Sequence, residues 1–217
     1  MNTELDFESL GQGTHLCGIF RNTGEQLDMV VPYMLAGLKK GEQCVSVVNK
    51  EIAEEATRAL YNLGIDVKKC QAWGQFLFLD PADTYLNEGY FDPERMINSV
   101  VEAEKRALLK GFTGLRSTGE VAWTCSKLPG TERLIEYEVN LNRFFPKSKT
   151  LGLCLYDENL YTKDILLAAV HTHPTVSIYN VLRDNPYYFP PDEFLVQEKE
   201  KNPDQAYTLK RDALLQS

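Results

Sequence analysis

The stretch "GQGTHLCGIFRNTGE", residues 11–25, decides the fold class. Its centre, "THLCGIF", reads as a short buried strand, and "RNTGE" behind it is a turn signal. A phosphate-binding loop would place G-x-x-x-x-G-K-[ST] between this strand and the next helix, so that backbone N–H groups and a lysine wrap the phosphates. Here Gly11 and Gly13 precede the strand, the turn after it holds one glycine and no lysine, and no Gly-Lys-Ser/Thr occurs in the chain. The segment therefore opens an α/β sheet without the usual nucleotide machinery. The two glycines are a flexible entry to the first strand.

The alternation continues outward. Leu27, Val30, Val31, Met34, Leu35 and Leu38 recur at helical spacing over 25–40, with Pro32 as an expected kink or early break. Gly41 ends that helix, and "QCVSVVN" is a continuous apolar run of the buried parallel type. A helix over 51–63 follows, then the strand "FLFLD" (76–80) and a long helix from Asp92 and Pro93 to about Lys110. A strand over 114–123, a helix over 131–145, the strand "TLGLCLYD" (150–157) and a helix over 162–172 complete the set. Five strands alternating with helices imply a doubly wound, mostly parallel sheet. The aromatic, proline-rich segment "NVLRDNPYYFPPDEF" reads as an ordered loop wrapped on the domain. We divide the chain into a polar leader (1–12), a main domain (13–195) and a polar C-terminal helix or linker (196–217).

A net charge of −8, with no run of five basic residues, argues against direct nucleic-acid binding. The acidic opening "MNTELDFESL" is no signal peptide, and "ILLAAV" (165–170) is far too short to span a bilayer, so no membrane association is expected. Five cysteines without a close pair suit reduced thiols and a cytoplasmic protein.

Three constellations carry chemistry. His15 and Cys17, at i and i+2 on a strand, share one face and are candidate metal or haem ligands, with Cys125, Cys154, His171 and His173 as further soft or borderline donors. Against this, free cysteine is often a buried small hydrophobe, and two helical histidines at 171 and 173 would point about 200° apart. In "GLRSTGEVAW", Arg116 and Glu120 lie on a mostly apolar strand with Trp123; Arg116 is expected to pair with Glu120 or Glu138. Such a strand forms either an internal ion-pair network or the polar floor of a ligand site at the C-terminal edge of the sheet. Of Glu136 and Glu138, only one should face the sheet. A Cys154–His–Asp157 hydrolytic triad lacks a nucleophile elbow and is the weakest of these readings.

"GTHLCGIFRNTGEQLDMVVPYMLAGLKKGEQCVSVVN", "GLRSTGEVAW", "LIEYEVNLNRFFP", "LGLCLYD" and "LLAAVHTHP…NPYYFPP" together resemble, in order, the MEDS family, the methanogen and methylotroph or DcmR-like sensory domain. The resemblance covers about residues 13–191. It implies a RecA/KaiC-like fold without a functional P-loop, and a non-enzymatic sensory role in which a small ligand, proposed for the family to be a hydrocarbon derivative, is read out by a DNA-binding or histidine-kinase module. The family's polar positions map onto His15, Arg116, Glu120, Glu138, Cys154, Tyr156, Asp157, His173 and Pro174. We expect His15, Arg116 and Glu120 to supply polar ligand contacts, and Trp123, Cys154 and Tyr156 to form walls. The alternatives are a metal- or haem-binding redox sensor and a degenerate nucleotide-binding domain. No cofactor is required by the sequence, and a homodimer is compatible with it.

Overall fold

The computed structural model describes residues 6–194, 196 and 202–216; the ends of the leader and of the 196–217 segment, and most of the link between them and the domain at 197–201, lie outside the described residues. In chain order the elements are β1 (His15–Phe20), α1 (Thr23–Lys39), β2 (Gln43–Val47), α2 (Lys50–Asn62), α3 (Val67–Ala72), β3 (Phe76–Leu79), α4 (Pro81–Tyr85), α5 (Pro93–Leu109), β4 (Leu115–Glu120), α6 (Leu134–Phe144), β5 (Thr150–Asp157), α7 (Lys163–Thr172), β6 (Thr175–Ile178), β7 (Val181–Asp184), α8 (Pro191–Phe194) and α9 (Pro203–Gln216). The sheet order is β3-β2-β4-β5-β1-β6-β7, parallel throughout except for the β6–β7 pair.

The sheet is a filling between two helical layers, and strand alternation assigns each residue its layer. Leu16 and Phe20 of β1 and Leu151, Leu153 and Leu155 of β5 pack under α1, α2 and α3. His15, Cys17, Ile19, Cys154 and Tyr156 face the opposite layer, built from α5, α6, α7 and α9. Phe7, in the segment expected to be polar leader, is fully buried against Tyr33. Tyr207 and Leu214 of α9 are buried on the other layer, so the C-terminal helix is docked, mainly on α7.

Several expectations need correction. Among the described residues the sheet has seven strands, not five: β6 and β7 form a hairpin, its turn and β7 lying within the segment expected to be loop, turned by Tyr179 and Asn180, both at positive φ (49° and 67°). α1 runs unbroken past Pro32, because its apolar faces are held between the sheet and α2. β4 ends at Glu120; Trp123 lies instead in a short 3₁₀ turn, Ala122–Ser126, stacked on Tyr85.

At the start of α1, where a P-loop protein would hold phosphate, the chain's own groups occupy the helix N-terminus. Asn22 accepts from the Glu25 N–H, and the Glu25 carboxylate accepts from the Arg21 N–H at 2.9 Å and from its guanidinium.

Candidate functional site

Four side chains from distant points of the chain meet on the α5–α6–α7 face of the sheet. His15 starts β1, Cys154 is midway along β5, Glu138 lies on α6 and His173 follows α7; their ligating atoms all lie within 4.8 Å of one another. All are buried. His15 Nε2 is 3.2 Å from Glu138 Oε2 and 3.4 Å from Cys154 Sγ, and Cys154 Sγ is 3.4 Å from the same carboxylate oxygen. His173 Nε2 lies 3.4 Å from Glu138 Oε2 yet makes no hydrogen bond.

Three of the four groups are held from behind. His15 Nδ1 is 3.0 Å from Asn142 Oδ1, and the Asn142 amide is itself fixed by donating to the Glu138 and Thr172 carbonyls. His173 Nδ1 donates to the Ala169 carbonyl at 2.7 Å. The Tyr156 hydroxyl donates to Glu138 Oε1 at 2.7 Å. Because both Nδ1 atoms face acceptors, each must carry the ring proton, and a neutral imidazole then presents a bare Nε2 to the cluster.

The electrostatics follow from burial. Desolvation lowers the His15 pKa, and the neighbouring His173 lowers it further. Burial and the Glu138 charge push the Cys154 thiol well above its ordinary value. Burial would raise the Glu138 carboxyl, but the charge interaction with His173 and the contact and charge of His15 outweigh it and hold it well below the usual carboxylate range. The cluster thus keeps a carboxylate in a dry interior, which is costly unless positive charge accompanies it.

Beside the cluster is a cavity of about 200 Å³ between β2, β4 and β5 and the helices α5 and α6. Its lining is mostly apolar: Val45, Val47, Met96, Val100, Leu141 and Phe145 dominate. Cys154 lines it too, and at 8% exposure is the member of the cluster that reaches the cavity; His15, Glu138 and His173 are 0–1% exposed behind it.

Of the residues singled out in the sequence, the structure brings together His15, Glu138, Cys154, Tyr156 and His173. The others lie apart. Arg116 is on the opposite face of the sheet, and its expected partners are corrected: its Nε donates to Glu42 Oε2 at 2.6 Å, not to Glu120 or Glu138. Gly37 of α1 makes room for it, since a Cβ there would come within 2.6 Å of Arg116 Cδ. Glu120 caps the C-terminal end of β4, accepting from the Asn49 N–H at 3.2 Å, and Asp157 ends β5, accepting from Asn159. Cys17 is buried on the cluster's face, one strand across from Cys154, but is not among the four converging groups. His171 stays on α7 against Phe189, and Cys125 is exposed. The cluster therefore lies on the sheet face toward the N-terminal ends of the strands, not at the C-terminal edge.

The comparisons with known proteins meet this geometry directly. The family model described as "MEthanogen/methylotroph, DcmR Sensory domain" matches residues 14–174, a span that begins one residue before His15 and ends one after His173. The chain belongs to the MEDS family. The transcriptional repressor DcmR of Methylorubrum extorquens is 26% identical over 171 residues, covering 78% of this chain and 61% of the repressor. This MEDS chain therefore spans less than two thirds of that relative's length. Among solved structures, a KaiC-like protein from the hyperthermophilic archaeon Pyrococcus horikoshii OT3 superposes with a TM-score of 0.52 at 17% identity, over 77% of this chain and 71% of that one. The MEDS domain thus has a RecA/KaiC-like α/β fold, and the family it belongs to is a sensory one. No helix among the described residues is long and apolar enough to cross a membrane.

Sequence reasoning missed Asn142, Glu42 and the cavity's helical wall. Asn142 had a signal, because it stands four residues after Glu138 on the same helix face.

Proposed function

We propose that this domain senses a small organic molecule of low polarity, a hydrocarbon derivative in class, bound in the cavity between the sheet and α5–α6. The observation that carries the reading is the mostly apolar cavity with Cys154 in its wall, a lining typical of small-ligand sites. Its volume is on the order of that of engineered apolar cavities that take up benzene-sized molecules. The non-enzymatic character of the domain is part of the proposal, as is its output: a DNA-binding or histidine-kinase module in the same polypeptide or a partner, as in a repressor of the DcmR kind.

The transduction route follows from what the ligand would touch. α5 supplies Met96, Val100 and Ala103 to the cavity and α6 supplies Tyr137 and Leu141, so occupancy ties the two helices to the sheet. α6 also carries Glu138 and Asn142 and packs on α7. A ligand preferring one α5–α6 arrangement would shift the population toward it, which is all that signalling requires.

The test is a thermal-stability series with short alkanols, alkylamines and haloalkanes. A binder at 100 times its Kd should stabilise the fold by about 2.7 kcal/mol. Ala103→Phe, which fills the cavity from α5, should abolish the shift while the protein remains folded. A ligand that stabilises the wild type and Ala103→Phe equally would overturn the cavity assignment.

A further inference from the structure

We propose that His15, Glu138, Cys154 and His173 bind a divalent transition-metal ion of the zinc class. The inference goes beyond the ligand reading and stands without it. Four donors in a His₂-Cys-carboxylate set converge on one point, with the donor types zinc accepts. Ordinary zinc bond lengths give a tetrahedron with edges of about 3.3–3.6 Å. Of the six edges here, three of 3.4 Å fall in that range, a fourth of 3.2 Å lies just below it, and the remaining two lie within the 4.8 Å limit of the group.

An independent observation points the same way. With both Nδ1 protons committed to Asn142 and Ala169, two imidazole lone pairs, a carboxylate oxygen and a sulfur face one another. The His173 Nε2, fully buried and aimed into the group, has no hydrogen-bond partner. Protonating one histidine satisfies one of the two nitrogens and leaves the other only the weak Cys154 S–H donor, whose sulfur lies 3.4 Å from His15 Nε2; protonating both buries two cations with ring centroids 4.0 Å apart and one carboxylate between them. A divalent ion would take up all four donors at once. It would be bound by two neutral imidazoles, one carboxylate and one thiolate, so the buried assembly has zero net charge. The Cys154 proton leaves to solvent as the sulfur–metal bond forms, because a coordinating thiol is deprotonated outright.

The surroundings are those of a metal site rather than of a bare ion pair. Histidine ligands of metals donate their other N–H to a carbonyl or carboxylate that fixes the ring, and Asn142 Oδ1 and the Ala169 carbonyl stand in those positions. Tyr156 occupies Glu138 Oε1, leaving Oε2 as a monodentate ligand. The spacing suits an ion alone, since no macrocycle fits between donors this close.

The experiment uses the full chain, freed of metal by a chelator and titrated with Co²⁺, then Zn²⁺. We expect one Co²⁺ per chain, tetrahedral d–d bands, a sulfur-to-cobalt charge-transfer band, and displacement of cobalt by zinc. Cys154→Ser should lose the charge-transfer band, whereas Cys17→Ser should keep it. Asn142→Ala should weaken binding about 10–100-fold. Should a core variant fail to fold, the wild-type spectrum and the Cys17→Ser control still decide. A folded wild type that takes up no Co²⁺, or a charge-transfer band that survives Cys154→Ser, overturns the proposal. The cavity ligand's thermal shift is a separate readout, so the two proposals fail separately.

Discussion

Glu42→Ala should be among the most destabilising single changes in this domain, although Glu42 touches neither the cluster nor the cavity. Its carboxylate is 3% exposed and lies 2.6 Å from Nε of Arg116, whose side chain is fully buried. The two terminal guanidinium nitrogens have no hydrogen-bond partner; the group lies over the Tyr33 ring at 4.7 Å. Glu42 therefore supplies the countercharge, and removing it strands a cation in the core. Breaking a buried pair from one side costs about 3–5 kcal/mol. For a domain of this length that is a fall in Tm of about 6–20 °C. The double variant Glu42→Leu/Arg116→Met removes both charges and should recover most of the loss, since apolar replacements of buried pairs are often neutral. Chemical denaturation of the wild type, both single variants and the double variant gives the coupling energy. Additive losses, or a Glu42→Ala cost below about 1 kcal/mol, the usual worth of an exposed pair, would refute the reasoning. The ligand-induced thermal shift should persist in Glu42→Gln if the pair is structural; its loss would return Arg116 to the sensing site.

Tyr156→Phe removes the hydroxyl that holds Glu138 Oε1 and should cost about 1.5–3 kcal/mol, the range for a buried bond to a charged group, read by urea unfolding. Glu158 ties the C-terminal helix down through Arg211, with Lys163 and Tyr179 also bonded to it. Burial raises its pKa, but these partners outweigh burial and lower it overall. The stabilisation is therefore present above the unfolded value of about 4.3 and is lost as pH falls below it through the folded value. The protection of α9 amides from hydrogen exchange, taken relative to the intrinsic rate at each pH, should fall in that acid window in the wild type, and Glu158→Gln should abolish this pH dependence of protection; wild-type protection of α9 that is the same at all pH values would contradict the assignment.

Most of the sheet was legible because β1, β2, β3 and β5 are apolar runs bounded by turns and helices of regular period, and β4, though it carries Arg116 and Glu120, falls in the same alternation. β6 and β7 were not, because they are joined by Tyr179–Asn180, which lacks the Asn-Gly or Asp-Gly signature of a two-residue hairpin turn, and β7 (VLRD) has no apolar run. His173 was half legible. Treated as helical it points away from His171, but Pro174 disfavours helix at the residue before it, and His173 is in fact extended (φ −120°, ψ 121°). That one backbone change turns its ring into the cluster. The partner of Arg116 was hidden because Glu42 is a lone charge between a glycine turn and a strand, brought to β4 by the pairing of β2 with β4. The meeting of His15, Glu138, Cys154 and His173 depends on β5 pairing with β1 and on α6 lying over both, a long-range arrangement that spacing along the chain does not encode.

The most direct test of the sensory reading is to see the ligand in place. A crystal of the domain soaked with a brominated short-chain alkanol that stabilises it in solution should show anomalous bromine density between β4–β5 and α5–α6, against Cys154. Bromine bound instead among Glu120, Asp157 and the other loops at the C-terminal edge of the sheet, with the cavity empty, would contradict it.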